Sequence, residues 1–203
     1  MSACNLNYNV IFIHVPKIAG TSMEHREFTC GGGHQNIEYF YRAFHLHFFG
    51  LPKWEDMFKF GFVRNPYDRF ASAFISHYST GCVEPAINLG FDPTPEGLIG
   101  FIRSQRDFIN NWVHLVPQYK YLCMFPRPNE FGKDQKPVVD FVGRFENLQA
   151  DWKKVCDRVG VSNELIHWRN TGLKDYDSLF TPESRAMIQD IYMKDFEIFE
   201  YDF

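Results

Sequence analysis

The chain has 203 residues, with 21 Lys and Arg against 25 Asp and Glu, a formal charge of −4. Hydrophobic residues make up 45% and aromatic residues 18%, the composition of a globular chain of about one domain's length. A disordered, collagenous or coiled-coil chain is excluded, and the acidic balance argues against a general nucleic-acid or membrane-surface binder while leaving room for a local basic pocket.

No run reaches the ~18–20 apolar residues of a membrane span. Residues Met1 to Asn9 carry no Lys or Arg that could open a secretory signal. The five cysteines, Cys4, Cys30, Cys82, Cys123 and Cys156, are scattered and contain no Cys-x-x-Cys. They read as reduced thiols, so the expectation is a soluble, cytoplasmic chain.

In chain order, Val10–Val15 reads as a strand that ends in a Pro turn at Pro16 and leads into a helical pattern. Phe60–Val63 repeats this, with Asn65 placed to cap and Pro66 at the first helical position. In the helix that follows, Phe70, Phe74 and Tyr78 form a core stripe, with Asp68, Arg69, Ser72 and Ser76 mostly on another side. Helices are expected to open at Thr94-Pro-Glu and Thr181-Pro-Glu, where Thr caps, Pro fits the first turn and Glu meets the positive end of the helix dipole. A third strand, Val138–Gly143, precedes a helix over Asn147–Val159. There Leu148, Trp152, Val155, Cys156 and Val159 share a face, Asn147 is the N-cap and Gly160 the stop. The loops are Cys30–His34, Gly81–Pro95 and Pro126–Pro137. Strands alternating with helices predict an α/β fold, a mainly parallel central sheet flanked by helices, as a single domain over 1–203. In such sheets ligands bind at the carboxyl ends of strands, so the first two strand-to-helix loops are where chemistry is sought.

In the first loop, Lys17-Ile-Ala19-Gly20-Thr21-Ser22, small residues let the backbone curl around an anion. Lys17 adds a point charge, and Thr21 and Ser22 add hydroxyls. This is not the ATPase pattern G-x-x-x-x-G-K-[ST], because Lys17 precedes the glycine. An ordinary strand-to-helix turn with a surface lysine also fits. In the second loop, Arg64 can fork onto a phosphate and Ser72 can add a hydroxyl bond, although a capped turn with a structural arginine fits too. The pair in Phe44-His45-Leu46-His47-Phe48 shares a face if the segment is extended. By spacing alone it is a half-buried aromatic strand with two hydrogen-bonded histidines, or a metal pair without a third ligand.

Taken together, the two loops resemble the sulfotransferases that use 3′-phosphoadenosine 5′-phosphosulfate, PAPS, and most closely their carbohydrate, Golgi-type O-sulfotransferase branch. The residues His14-Val-Pro-Lys17-Ile-Ala-Gly20-Thr21-Ser22 look like the loop for the 5′-phosphosulfate. Phe62-Val-Arg64-Asn-Pro-Tyr-Asp-Arg69-Phe-Ala-Ser72 looks like the segment for the 3′-phosphate. Val142-Gly-Arg-Phe145-Glu-Asn147-Leu and the ending from Tyr192 to Phe203 are similar to further landmarks of that branch.

The resemblance implies the P-loop-like sulfotransferase fold and transfer of a sulfuryl group from PAPS to a hydroxyl of a sugar or glycan, leaving PAP, with no metal. It implies Lys17, Ala19, Gly20, Thr21, Ser22, Arg64 and Ser72 as nucleotide ligands, with Lys17 also catalytic. His47 is implied as general base, with His45 in reserve. Lys174 and Tyr176 fall where the family closes a loop over the nucleotide, and His114 where it shapes the acceptor site. Ile18 departs from the pattern, since many members carry a small or hydroxyl residue there. The rival readings are a catalytically silent PAP-binding module and a P-loop kinase. No nucleic-acid partner is expected.

Overall fold

The computed structural model describes residues 2–20, 23, 33–46, 52–79, 90–124, 135–165 and 176–203. In chain order the elements are β1 (Ala3–Asn5), β2 (Val10–Ile13), α1 (Ile37–Leu46), β3 (Phe58–Val63), α2 (Pro66–Ser79), α3 (Pro95–Ser104), α4 (Arg106–Asn111), α5 (Tyr119–Leu122), β4 (Phe141–Arg144), α6 (Leu148–Val159) and α7 (Pro182–Phe199). The chain forms two compact units, Met1–Arg64 with Gln118–Trp168, and Asn65–Pro117 with Arg169–Phe203.

The first unit is α/β. Its sheet runs β1-β2-β3-β4, with β1 antiparallel to β2 and the other two pairings parallel. Ile13 stands opposite Gly61 and Val63 opposite Arg144. All four residues of β2 are buried, as expected for a continuous apolar strand of a parallel sheet. Phe12 stacks on Phe60 at 5.0 Å, and Trp152 of α6 lies 6.4 Å from Phe60 and 6.5 Å from Phe62. Burying each such side chain stabilises the unit by roughly 1.5–3 kcal/mol. Gly160 ends α6 at φ 81°, a left-handed stop that suits glycine.

Two local expectations change here. Asn147 does not cap α6: its side-chain amide donates instead to Asp151 Oδ1 at 3.1 Å. The segment before His47 is not extended but helical through Leu46. Asn36 starts α1, its Oδ1 accepting from Tyr39 N at 3.0 Å, and the buried residues Ile37 and Phe40 fix a helical face. His45 stands on the last turn of that helix, and His47 lies outside the described residues.

The second unit is helical, with α2, α3, α4 and α7. Its caps follow the sequence. Thr94 Oγ1 accepts from Gly97 N at 3.1 Å, Thr181 and Ser184 form a reciprocal capping box, and Asn65 Oδ1 accepts from Tyr67 N at 2.9 Å. The core is aromatic: Phe74 lies 5.3 Å from Phe101, Tyr67 5.0 Å from Phe196, and Phe70 6.1 Å from Tyr192. At Tyr192 the helical dihedrals of α7 break (φ −112°, ψ 19°), and its hydroxyl donates to Leu115 O at 2.6 Å. Of the polar residues expected off the apolar stripe of α2, only Asp68 keeps partial exposure, and Arg69, Ser72 and Ser76 are buried along with Phe70 and Phe74. Arg69 is accommodated because its Nη2 donates to Val116 O at 2.8 Å and His114 O at 3.3 Å.

Candidate functional site

The register brings the carboxyl ends of β2, β3 and β4 to one edge of the sheet, where His14, Arg64 and Phe145 leave it. From β2 the chain turns through Lys17 (φ 70°) and Ala19 (φ 61°), two non-glycine residues in the left-handed region. Such dihedrals cost about 1–3 kcal/mol each and persist only where neighbours enforce them. Alternation with residues of negative φ is the backbone pattern that gathers N–H groups into an anion-binding concavity. Exposure alternates in step: Lys17 and Ala19 are half-buried, and Ile18 between them is fully buried. Ile18 therefore acts as an apolar anchor for the loop.

Gly20 is required by space. A Cβ there would fall 1.8 Å from His14 Nε2. The His14 ring braces the loop from below, stacked at 5.6 Å on Phe12 and edge-on at 4.6 Å to His34. Its backbone N–H donates to Ser2 Oγ at 3.0 Å, and its carbonyl accepts from His34 Nδ1 at 3.0 Å.

Arg64 is held from three sides. Its N–H donates to Gln118 Oε1 at 2.9 Å and its carbonyl accepts from Gln118 Nε2 at 2.8 Å. Its guanidinium carbon lies 4.1 Å from the centre of the Phe145 ring. Its Nη1 donates to Lys17 O at 3.4 Å, so the two predicted anion loops meet. Asp151 organises the turn that carries Phe145, accepting from Arg144 N at 2.9 Å, Asn147 Nδ2 at 3.1 Å and Lys154 Nζ at 2.8 Å. Burial pushes the Asp151 carboxyl up. The hydrogen bonds from Lys154, the Arg144 N–H and Asn147, with the Lys154 charge, outweigh burial and hold it below the ordinary value of 3.8. Gln118 follows the His114 run and Phe145 sits in the stretch 142–148, but neither side chain carries a charge or nucleophile that assigns it a role from sequence.

The other predicted residues divide. Lys17, Ala19, Gly20 and Arg64 come together. Thr21, Ser22, His47 and Lys174 lie outside the described residues. His45 is exposed on the last turn of α1, its Nδ1 donating to Tyr41 O at 2.8 Å, which makes Nε2 the accepting nitrogen of the neutral ring. Ser72 is buried on α2 in the second unit. His114 lies in that unit with its ring 4.8 Å from Trp112, and Tyr176 packs in its core. A cavity of about 450 Å³ lined by Gln149, Ala150, Lys153, Asn163 and Leu165 includes none of these residues. Among the described residues, no helix is long and apolar enough to cross a membrane.

The model of the sulfotransferase family matches residues 3–202. The chain belongs to the sulfotransferase family. It is thus a transferase of sulfuryl groups, with an α/β fold consistent with that family. An uncharacterized protein of Archaeoglobus fulgidus is 28% identical to this sulfotransferase over 117 residues, 57% of this chain and 78% of that protein. No solved structure matches this chain.

Proposed function

We propose that this sulfotransferase takes its sulfuryl group from PAPS and delivers it to a hydroxyl of a sugar or glycan, as in the Golgi-type carbohydrate branch. The whole chain, 1–203, acts as one such domain in the cytoplasm. The observation that carries this reading is the bond from Arg64 to the Lys17 carbonyl, which joins two anion-binding loops at one sheet edge. A nucleotide with anions on both sides of its ribose matches two such loops.

PAPS supplies a sulfuryl group already activated by its phosphate leaving group. The Lys17 ammonium and the N–H groups of Ala19 and Gly20, with Thr21 and Ser22, hold the 5′ end. Arg64, with Ser72, holds the 3′-phosphate by charge-assisted bonds, and Lys174 closes over the nucleotide. Lys17 also stabilises the charge that develops on the leaving phosphate. His47, with His45 in reserve, takes the proton of the acceptor hydroxyl. The Nδ1 bond of His45 to Tyr41 O suits it to that reserve role, since Nε2 then carries the lone pair.

The test is a thermal shift with PAP and with ATP–Mg²⁺, followed by mass-spectrometric detection of sulfate moved from PAPS to a library of hydroxyl compounds. Stabilisation by PAP with transfer supports the reading. No stabilisation by PAP sinks it. Binding of PAP with persistent silence favours the non-catalytic module, and a response to ATP–Mg²⁺ alone favours a kinase.

A further inference from the structure

We propose that Gln118 is the positioning residue for the nucleotide's 3′-phosphate: it locks the backbone of Arg64, and Phe145 locks the plane of the guanidinium that this backbone presents. The proposal rests on the reading of Arg64 as the 3′-phosphate ligand.

Gln118 has no solvent exposure, and both polar atoms of its side chain go to one residue. By bonding the N–H and the C=O of Arg64 together, the amide reproduces the two-bond exchange of an antiparallel residue pair. Such a pair fixes the dihedrals on both sides of the Arg64 Cα, and therefore the direction of its side chain. The clamp acts where ordinary pairing stops. Parallel pairing of β3 with β4 ends at Val63 opposite Arg144, and α2 begins only at Pro66. A buried peptide group in that gap needs a partner from elsewhere, and Gln118 brings one from a position 54 residues away.

Phe145 works on the other end of the side chain. A ring face 4.1 Å from the guanidinium carbon sets its plane by cation–π attraction and takes up none of the in-plane N–H donors. A guanidinium loses rotamer freedom when it forks onto a phosphate. One already ordered, with 7% exposure for Arg64 as a whole, loses less on binding.

The experiment compares PAP with adenosine 5′-phosphosulfate, which lacks the 3′-phosphate, by calorimetric titration. The proteins are the parent, Gln118→Met and Phe145→Leu, each first shown to be folded by circular dichroism. Each variant is expected to bind PAP about tenfold more weakly, with the affinity for adenosine 5′-phosphosulfate unchanged within about twofold. The preference for the 3′-phosphate therefore falls. A merely structural role would weaken both ligands alike, and that result overturns the proposal, as does unchanged PAP affinity. If Gln118→Met does not fold, Gln118→Glu replaces it. It keeps the acceptor for the Arg64 N–H, and the same selective loss is expected at smaller size, with an equal loss for both ligands again decisive against. A parent protein that binds both ligands equally overturns the Arg64 reading and this proposal with it. A discriminating parent with unaffected variants overturns this proposal alone.

Discussion

Replacing Gly20 with alanine puts a methyl group where the His14 ring lies. The new Cβ would sit 1.8 Å from Nε2 and 2.3 Å from each of two ring carbons, against ~3.5–4.0 Å for an ordinary contact. The ring cannot retreat freely. Phe12 stacks on it, His34 meets its edge, and the His14 backbone is tied to Ser2 and to the His34 ring. Overpacking of a rigid site costs ~1–3 kcal/mol, and the closeness of this clash places Gly20→Ala at about 2–3 kcal/mol. That is a large part of a total stability of ~5–15 kcal/mol. His14→Ala removes two aromatic pairs worth ~0.5–1.5 kcal/mol each. It also vacates the space the methyl needs, so the double variant is expected to be more stable than the sum of its parts by about 1–2 kcal/mol. Urea denaturation of the four proteins measures this cycle. Additive losses, or a Gly20→Ala protein as stable as the parent, would refute the brace.

Arg64→Ala removes a charge-assisted partner worth ~1.5–3 kcal/mol, so calorimetry should show PAP bound roughly ten- to a hundredfold more weakly; a change below about threefold would remove Arg64 from the site. Lys17→Ala should abolish sulfate transfer measured by mass spectrometry, and transfer at the parent rate would exclude the charge-stabilising role. His47→Ala should lower turnover while PAP affinity holds; full turnover there, with loss in His45→Ala, moves the base to His45. Asp151 titrates lower in the folded chain than its ordinary 3.8. Its stabilisation is therefore complete above the unfolded value and is lost as pH falls through the lower folded one. Below about pH 4 the urea midpoint of the parent should drop more steeply than that of Asp151→Asn, and parallel curves would contradict the hydrogen-bonded carboxylate.

What was legible in the sequence was local chemistry. The apolar runs that end at Pro16 and Pro66 located β2, β3 and the two loops after them. The caps at Asn65, Thr94 and Thr181 form because the side chain and the N–H groups it serves are neighbours in the chain. What depended on distant partners was hidden. Strand β1 is three residues without β-branched character and exists through its pairing with β2. Arg69 and Ser72 are buried although they lie off the apolar stripe, which is all that periodicity reveals. Asn147 had the right identity for a cap, but the Asp151 carboxylate, set by the β4–α6 turn, claimed its amide. At the site, Lys17 and Arg64 declared themselves by charge at strand ends. Gln118 lies beside the His114 run, but its neutral amide has no local feature that marks a clamp on Arg64.

The Gln118–Arg64 pair also bears on how the sheet is assembled. Arg64 is the last residue before the helical segment Asn65–Pro117, and Gln118 is the first after it. Their two hydrogen bonds tie that segment into a closed loop. Parallel pairing of β3 with β4 otherwise has to close the whole stretch from Val63 to Phe141, a long-range contact of the kind that slows folding. Once the neck is tied, only the residues from Gln118 to β4 remain to be closed, and the entropy of that step falls with the shorter length. Because closure entropy grows only slowly with loop size, the helices beyond the neck can change in length at little cost to the sheet.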